Sequence, residues 1–298
     1  MELADRLRFR EAVVDGLRRF FKERGFLEVE LPLMASRPIP EATIRLFPVL
    51  RPDGGRWFLL PSPELYLKPL LAQGLERIFY LGPAFRAGER GRLHLPQFTI
   101  LEWYGAGRDY TWLMEMVEEL LPWLAMELRR SFSLPEGLRL EPPYPRLSLR
   151  SLYQELAGWD PWSEPDPHRF DLDMVERIEP WLPKDQPVFL KDYPIWRGSL
   201  ARPLPPPQEG VERVELYLAG VELANGFSEL VDRREQERRF MDELAEMGRG
   251  AEELPVPFLE QLEKLPPCAG MALGVDRLVM LLAGLNSVDE TRAVPEPL

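Results

Sequence analysis

The sequence predicts an α+β fold in which helices flank a mainly antiparallel sheet. Residues 78 to 104 and residues 211 to 232 each contain two runs of alternating apolar and polar residues joined by a turn, a pattern typical of antiparallel hairpins. Apolar residues recur at helical spacing over residues 3 to 24 and 111 to 131. At 298 residues the chain is long enough for one large domain or two small ones.

Composition narrows the classes of function. The 37 Lys and Arg residues against 49 Asp and Glu residues give a net charge of −12, which disfavours a large nucleic-acid-binding surface. The single cysteine, Cys268, excludes an intrachain disulfide and a Cys-rich metal site. The N-terminus lacks the apolar core of a signal peptide, and no apolar run is long enough for a membrane span. We therefore expect a cytoplasmic protein with no membrane partner.

The first predicted elements are a helix and a strand. Helical spacing from Leu3 to about Arg24 ends at Gly25, a residue typical of a helix C-terminus. The alternation from Phe26 onward predicts a strand that stops at Pro32. This pair of elements is either an edge of the core or a dimer face.

A short strand and a capped helix follow. Residues 57 to 60 predict the strand, and the helix begins with Ser62 as N-cap and Pro63 at its first position. Gly74 stands just past the helix end. Glu64 lies in the first turn, where the helix dipole alone explains a carboxylate.

The hairpin that ends at Tyr104 combines a cationic loop with an alternating return strand. Phe98, Ile100, Glu102 and Tyr104 share one face of that strand, so a carboxylate lies beside two aromatic rings. Such a hairpin suits a polyphosphate, with Phe98 as a surface for a base to stack on. The alternative is a surface hairpin with solvated arginines. The cationic loop contains Arg86, Arg90, Arg92 and His94.

The second hairpin is acidic. With a two-residue turn at Ala219 and Gly220, Tyr217 opposes Glu222, and Glu215 becomes a diagonal neighbour of Glu222 on the same face. Two carboxylates this close repel each other unless a cation lies between them. Oxygen ligands favour a hard cation, and Mg²⁺ that bridges phosphates is the natural candidate. The alternative is a solvated acidic face.

Glu229 has the opposite strand parity to Glu222. Both can face one pocket only if the strand contains a bulge, and the pair Asn225 and Gly226 is the predicted place for it.

The C-terminal region predicts a strand from Cys268, then Gly274, then a helix. Arg277 falls in the first helical turn, beside unpaired backbone N–H groups that favour anions. It is a phosphate ligand if an anion lies across the sheet, and a surface arginine otherwise. Residues 132 to 187 are rich in Pro and Trp and contain no motif that we can assign.

The first helix and strand, the cationic hairpin, the acidic hairpin and the C-terminal strand and helix occur in this order along the chain. Together they resemble the three signature motifs of the class II aminoacyl-tRNA synthetase catalytic domain. The stretches SPELYLK and ANGFSEL are similar to the lysyl-tRNA synthetase branch in particular. The resemblance implies one catalytic domain over residues 1 to 298 with the class II catalytic fold. Motif 1 lies at about 8–34, motif 2 at about 78–104, the acidic hairpin for metal and lysine at about 211–232 and motif 3 at about 269–284.

Within that branch the chain resembles the freestanding ligases that modify elongation factor P. It begins directly at the motif 1 helix, so we expect no anticodon-binding domain and no tRNA anticodon binding. Ala272 stands where the tRNA synthetases have glycine, and alanine there is associated in those ligases with accepting β-lysine over α-lysine.

The resemblance also implies where ATP binds. Arg86 and Arg277 are implied to be catalytic, on the α- and γ-phosphates, with Arg92 or His94 on the triphosphate tail. Phe98 is implied to stack on adenine opposite Arg277. The residues implied to bind ATP are Arg86, Ala87, Gly88, Glu89, Arg92, His94, Leu95, Phe98, Glu222, Leu223, Gly274 and Arg277.

A second set is implied to bind the lysine substrate and the metal. Carboxylates in the amino-acid pocket suit a substrate with two ammonium groups. Mg²⁺ is implied on Glu215 and Glu222. The residues implied to bind lysine are Ser62, Pro63, Glu64, Glu102, Tyr104, Asn225, Glu229 and Ala272.

The sequence departs from the family pattern on the adenine side. Gly88 stands where the motif 2 glutamate is expected, and the adjacent Glu89 is the candidate to replace it. Leu95 replaces an asparagine, and Gln97 replaces a glutamate.

The implied reaction has two steps. Lysine or β-lysine is activated with ATP as an aminoacyl-adenylate, and the acyl group then passes to the ε-amine of a lysine on elongation factor P, releasing AMP. Positioning and charge stabilisation suffice for the first step. Motif 1 implies a homodimer. The alternatives are a truncated lysyl-tRNA synthetase, a lysine-adenylate donor to another carrier, and a binding module that has lost activity.

Overall fold

The computed structural model describes residues 1–294. The last four residues of the predicted domain lie outside the described residues. The described helices are α1 (Leu3–Glu23), α2 (Glu64–Ala72), α3 (Tyr110–Leu128), α4 (Leu149–Leu152), α5 (Pro167–Asp173), α6 (Glu179–Trp181), α7 (Arg233–Glu246), α8 (Val256–Leu262) and α9 (Val275–Leu282). Within this part of the chain, none of the helices combines the length and apolarity needed to cross a lipid bilayer.

The strands form two sheets. Eight strands join in the order β1-β5-β6-β11-β10-β9-β8-β7, and three form a small sheet in the order β2-β4-β3. In the large sheet only the two outer pairs, β1 with β5 and β7 with β8, are parallel. The predicted α+β fold with a mainly antiparallel sheet is confirmed. The strands are β1 (Leu27–Glu28), β2 (Met34–Ala35), β3 (Pro48–Leu50), β4 (Arg56–Leu59), β5 (Arg77–Phe85), β6 (Gln97–Ala106), β7 (Arg146–Ser148), β8 (Val188–Tyr193), β9 (Val211–Leu218), β10 (Val221–Ser228) and β11 (Cys268–Gly274).

Helices α1 and α3 cover one face of the large sheet. Leu101 and Trp103 of β6 point into this layer, and the Trp103 ring lies 5.2 Å from the ring of Phe21 on α1. Each fully buried large apolar side chain contributes about 1.5–3 kcal/mol, so this layer holds α1 against the sheet. Helix α1 gives way to Gly25 at a φ of +76°, a left-handed conformation that favours glycine.

The opposite face of the sheet contains the site. Ile100 and Tyr104 point to this side, as the alternation along β6 predicts. Helices α2, α7 and α8 pack on this face beside Ile100 and Tyr104. A separate apolar cluster is formed by buried side chains between residues 149 and 201, which include strand β8, together with side chains of strand β9.

Two predicted boundaries differ from the structure. The strand predicted from Phe26 to Pro32 has only two paired residues, Leu27 and Glu28, because it lies at the sheet edge and pairs only with β5. Helix α2 begins at Glu64, with Pro63 in the cap position. The Ser62 hydroxyl still accepts a hydrogen bond from the Glu64 N–H at 3.1 Å.

Candidate active site

A cavity of about 760 Å³ opens on the face of the sheet opposite α1 and α3. Ligand sites commonly have volumes of about 300–1,000 Å³, so it can hold a nucleotide together with an amino acid. Most of the predicted site residues line it. They are Ser62, Glu64, Arg86, Glu89, His94, Leu95, Phe98, Glu102, Tyr104, Glu215, Glu222, Leu223, Asn225, Ala272, Gly274 and Arg277.

Five predicted site residues do not line the cavity. Pro63 caps α2, the Ala87 N–H donates to the Arg45 carbonyl at 2.8 Å, and Gly88 makes a turn at a φ of +80°. Arg92 is exposed at the tip of the β5–β6 hairpin. Glu229 is fully buried beneath the cavity.

The centre of the sheet sets the positions of the amino-acid pocket. Ala272 of β11 pairs with Glu102 of β6 on one side and with Asn225 of β10 on the other. Tyr104 donates a hydrogen bond of 2.9 Å to the Glu102 carboxylate. Its ring lies over Gly270, where an added Cβ would come within 2.2 Å of a ring carbon. Glycine at 270 therefore provides the space that lets Tyr104 hold Glu102.

A bulge in β10 brings its polar residues to one face. The predicted turn at Ala219 and Gly220 and the pairing of Tyr217 with Glu222 are both present. The bulge predicted at Asn225–Gly226 is instead between Glu222 and Ala224, so that location was wrong.

Nothing in the sequence marked this position, because the residues at the bulge, Leu223 and Ala224, are ordinary apolar residues of the strand. Leu223 and Ala224 both pack into the layer of α1 and α3, although they are consecutive. The side chains of Glu222 and Asn225 consequently both reach the cavity.

The amino-acid end of the cavity is built around a buried lysine that we did not single out from the sequence. The Lys68 ammonium lies 2.5 Å from a carboxylate oxygen of Glu229 and also forms an ion pair with Glu64. Lys68 is 1% exposed. It follows Glu64 by four residues on α2, and this spacing was a signal that could have identified the pair.

Burial and mutual repulsion raise the pKa values of these acids. Loss of solvent and the charge of Glu64 raise the pKa of Glu102 to about 8. Burial also raises the pKa of Glu229 well above its usual value, although Lys68 opposes the shift. Burial favours the neutral amine of Lys68, but the charges of Glu229 and Glu64 outweigh it and raise the pKa of Lys68. The three carboxyl groups can therefore carry more negative charge than Lys68 neutralises, so the pocket can accept a further cation.

The other end of the cavity is cationic. The Arg86 guanidinium lies 5.3 Å from the ring centroid of Phe98 and 3.8 Å from the Glu89 carboxylate. The structure thus places Arg86, predicted for the α-phosphate, beside Phe98, predicted for the base, whereas Arg92 lies outside the cavity.

Arg277 projects from the first turn of α9 and is held by two backbone carbonyls. It donates to the Leu93 carbonyl at 3.1 Å and to the Glu222 carbonyl at 2.7 Å, and its other nitrogen lies 2.8 Å from Nε2 of His94. Burial and the adjacent Arg277 lower the pKa of His94, so the neutral ring accepts from the arginine. Gly274 has space for a Cβ at ordinary contact distances, so packing within the protein does not require glycine there.

The two predicted metal ligands share one face of the hairpin. Glu215 accepts hydrogen bonds from Arg213 at 2.7 Å and from Tyr217 at 3.0 Å, one on each oxygen. Burial and the charge of Glu215 raise the pKa of Glu222, which a cation between them would reverse.

Two carboxylates do not make a complete metal site. Over residues 1–294, no group of three or more Asp, Glu, His or Cys side chains is arranged to hold a metal ion. The donor set fits a hard ion that takes its remaining oxygens from phosphates and water.

Part of the cavity wall comes from segments without a recognisable motif. The loop of residues 38 to 46 contributes Glu41, helix α7 contributes Glu243, and the turn after β8 contributes Trp196. Arg213 of β9 hydrogen-bonds the Asn225 side chain at 3.0 Å. No spacing rule connects these residues, because tertiary packing alone brings them together.

Comparison with known proteins identifies the family of this chain. The model of the family described as tRNA synthetases class II (D, K and N) matches residues 1–297. The chain belongs to this class II synthetase family, and membership implies the use of ATP.

Three similar curated proteins carry the name elongation factor P–(R)-β-lysine ligase. The relative from Vibrio parahaemolyticus serotype O3:K6 is 33% identical over 311 aligned residues, covering 99% of this chain and 96% of the relative. The relative from Klebsiella pneumoniae strain 342 is 37% identical over 303 residues, covering 95% and 93%. The relative from Salmonella paratyphi A is 36% identical over the same shares.

Proposed function

We propose that this chain is an ATP-dependent ligase that activates (R)-β-lysine, or lysine, and transfers it to a lysine ε-amine of elongation factor P. The names of relatives that match nearly the whole chain support the substrate and the acceptor. The observation that carries the proposal is the polarity of the cavity. Arg86 and Arg277 lie at one end, and Glu64 and Glu102 lie at the other.

The first step takes place between the amino acid at one end of this cavity and ATP at the other. The amino-acid carboxylate attacks the α-phosphorus of ATP, the bond to the bridging oxygen breaks, and pyrophosphate leaves. Arg86 stabilises the charge on the α-phosphate, and Arg277 holds the leaving pyrophosphate. Glu215 and Glu222 would hold Mg²⁺, which neutralises the triphosphate charge when bound. No protein nucleophile is needed.

The acid cluster selects the substrate. Glu64, Glu102 and Glu229 offer three carboxylates, and Lys68 neutralises one of them. With Glu102 ionised, the cluster has a formal charge of −2, which matches the two ammonium groups of lysine or β-lysine. Ala272 limits the space between Glu102 and Asn225, where the two isomers place their amino group differently.

The proposal extends to assembly. Class II motif 1 supports a homodimer, and α1 begins with an exposed Leu3 and leads to an exposed Leu27. Sedimentation equilibrium at micromolar concentration tests this, and a monomer throughout the concentration range would remove it.

Mass spectrometry of the acceptor tests the function. Elongation factor P is incubated with the protein, ATP, Mg²⁺ and either α-lysine or (R)-β-lysine, and we expect one lysyl residue added to one lysine side chain. Lysine tRNA in place of elongation factor P provides the alternative acceptor. Charging of tRNA with no change in elongation factor P would favour a truncated lysyl-tRNA synthetase.

A further inference from the structure

The loop of residues 38 to 46 forms a wall of the cavity to which the activation step described above assigns no residue. Ile39 and Pro40 are buried and anchor it. The Ala42 N–H donates to the Glu243 carboxylate of α7 at 2.7 Å, and the Arg45 carbonyl accepts from the Ala87 N–H at 2.8 Å. The loop is therefore held at a fixed position between α7 and the hairpin that bears Arg86.

Glu41 presents a carboxylate to the cavity from this loop. Across residues 1–294, its side chain has no hydrogen bond or ion pair, although it lines a cavity rich in charge. Four charged groups from four elements act on it: Glu64 of α2, Glu243 of α7, Arg86 of β5–β6 and Arg213 of β9. Burial, reinforced by the charge of Glu64, raises the pKa of Glu41 to about 7.

This position lies within electrostatic reach of both halves of the adenylate site. Glu64 belongs to the amino-acid end and Arg86 to the α-phosphate end, and both contribute to the pKa of Glu41. In an aminoacyl-adenylate, the bond that breaks during transfer joins these two halves. Glu41 lines the same cavity as both halves, so its carboxylate can act on a nucleophile that enters this cavity.

The transfer step needs a base that the other cavity groups do not supply. A lysine ε-amine has a pKa of about 10.4, so the acceptor arrives as an ammonium ion that cannot attack a carbonyl. Glu64 and Glu229 are paired with Lys68, and Glu102 is hydrogen-bonded to Tyr104. His94 accepts from Arg277.

We propose that Glu41 is the general base for the acceptor amine, and that Glu41 and Glu243 form the subsite that receives the acceptor ammonium group. This inference rests on the proposed ligase function. One proton passes from the ammonium to Glu41. The nitrogen lone pair forms the bond to the acyl carbon, the bond from that carbon to the phosphate oxygen breaks, and AMP leaves. The second nitrogen proton leaves with the AMP phosphate, whose second pKa is near 6.

The test compares two acceptors in the Glu41→Gln variant. Hydroxylamine is mostly unprotonated at neutral pH and traps the adenylate as a hydroxamate without a base, whereas the lysine of elongation factor P requires one. A general base contributes about 10²–10⁴-fold, so we expect the ratio of protein transfer to hydroxamate formation to fall at least tenfold. Glu41→Asp should restore part of the ratio.

The pH profile gives the second readout. The wild-type transfer rate should rise with pH and level off above about 7 as Glu41 loses its proton, whereas the rate of Glu41→Gln, which depends on the free amine, should keep rising toward about pH 10. Glu246→Gln removes an exposed carboxylate from the same helix as Glu243 and should keep both the ratio and the profile.

The two possible failures are distinguishable. An unchanged ratio and profile in Glu41→Gln would overturn the role of Glu41 while the wild type still acts as a ligase. If the wild type forms neither hydroxamate nor modified elongation factor P, the proposed function itself is overturned.

Discussion

Lys68 and Glu229 form an ion pair that is closed off from solvent, with the ammonium nitrogen 2.5 Å from a carboxylate oxygen. Removing one member of a buried pair leaves an uncompensated charge at a cost of about 3–5 kcal/mol. We therefore expect Lys68→Met to lower the free energy of unfolding by roughly this amount, measured by urea denaturation.

The control for Lys68 is an exposed pair. Lys22 forms an ion pair with Glu28 at 2.8 Å near the surface, and such pairs contribute about 0–1 kcal/mol. Lys22→Met should therefore change stability by less than about 1 kcal/mol. Equal losses in the two variants would contradict the role of Lys68 as the counter-ion of the acid cluster.

Glu102 gives the stability a defined dependence on pH. Its pKa is near 8 in the folded chain, against 4.5 for an unperturbed group. Between these values the folded state keeps a proton that the unfolded chain has lost, so the contribution of Glu102 to stability falls as pH rises. Glu102→Gln should become more stable relative to wild type from pH 4.5 to pH 8, by at least about 1.4 kcal/mol, the equivalent of one pKa unit.

Denaturation curves at several pH values measure this difference. The exposed residue Glu155 provides the control, since Glu155→Gln should show no such trend. A stability difference between Glu102→Gln and wild type that is constant with pH would show that Glu102 is ionised in the free pocket.

Ala272 is expected to set the preference between the two lysine isomers. Ala272→Gly removes a methyl group between Glu102 and Asn225, and one such group is worth about tenfold or more in discrimination. The ratio of kcat/KM for α-lysine to that for β-lysine should rise by about tenfold in pyrophosphate exchange assays.

Ala269→Gly is the matched control for this change. Ala269 lies on the same strand but packs into the layer of α1 and α3, so its loss should lower stability without changing the ratio. An unchanged isomer preference in Ala272→Gly would count against the role of the methyl group.

Arg277→Ala should abolish most of the ATP–pyrophosphate exchange. Loss of one positioned donor in a site of this kind costs about 10²–10³ in rate, and Arg277 also orders the Leu93 and Glu222 carbonyls. Exchange of radiolabelled pyrophosphate measures the loss, and far-UV circular dichroism checks the fold. Near-normal exchange in a folded variant would remove the phosphate assignment.

Arg92 and His94 are the two candidates for the tail of the triphosphate. His94 contacts Arg277 and lines the cavity, whereas Arg92 is exposed and outside it. We expect the KM for ATP to rise more in His94→Ala than in Arg92→Ala. The reverse order would mean that the hairpin tip folds over bound ATP.

Local pattern predicted the parts of the fold and site that depend on strand parity and chain order. The alternation at Ile100, Glu102 and Tyr104 identified the face that carries the site, and the turn at Ala219 set the register of Glu222 correctly. Neither prediction needed knowledge of distant contacts.

The remaining features depend on contacts between distant parts of the chain. The location of the β10 bulge follows from how Leu223 and Ala224 pack under α3, which no local signal encodes. The approach of Glu41 to Glu64 likewise depends on the loop being fastened to α7. The environment of Lys68 could be predicted in part. Its four-residue spacing from Glu64 indicates one ion pair, but Glu229 lies too far away in the sequence for any local pattern to connect the two residues.

The irregularity after Glu222 makes β10 sensitive to changes in length rather than composition. Losing Leu223 would restore regular pairing and leave Asn225 opposite Glu215, whereas losing a residue after Asn225, such as Gly226, would turn every later side chain of the strand to the other face of the sheet. Natural variants of this protein should thus tolerate many replacements along the strand but very few insertions or deletions.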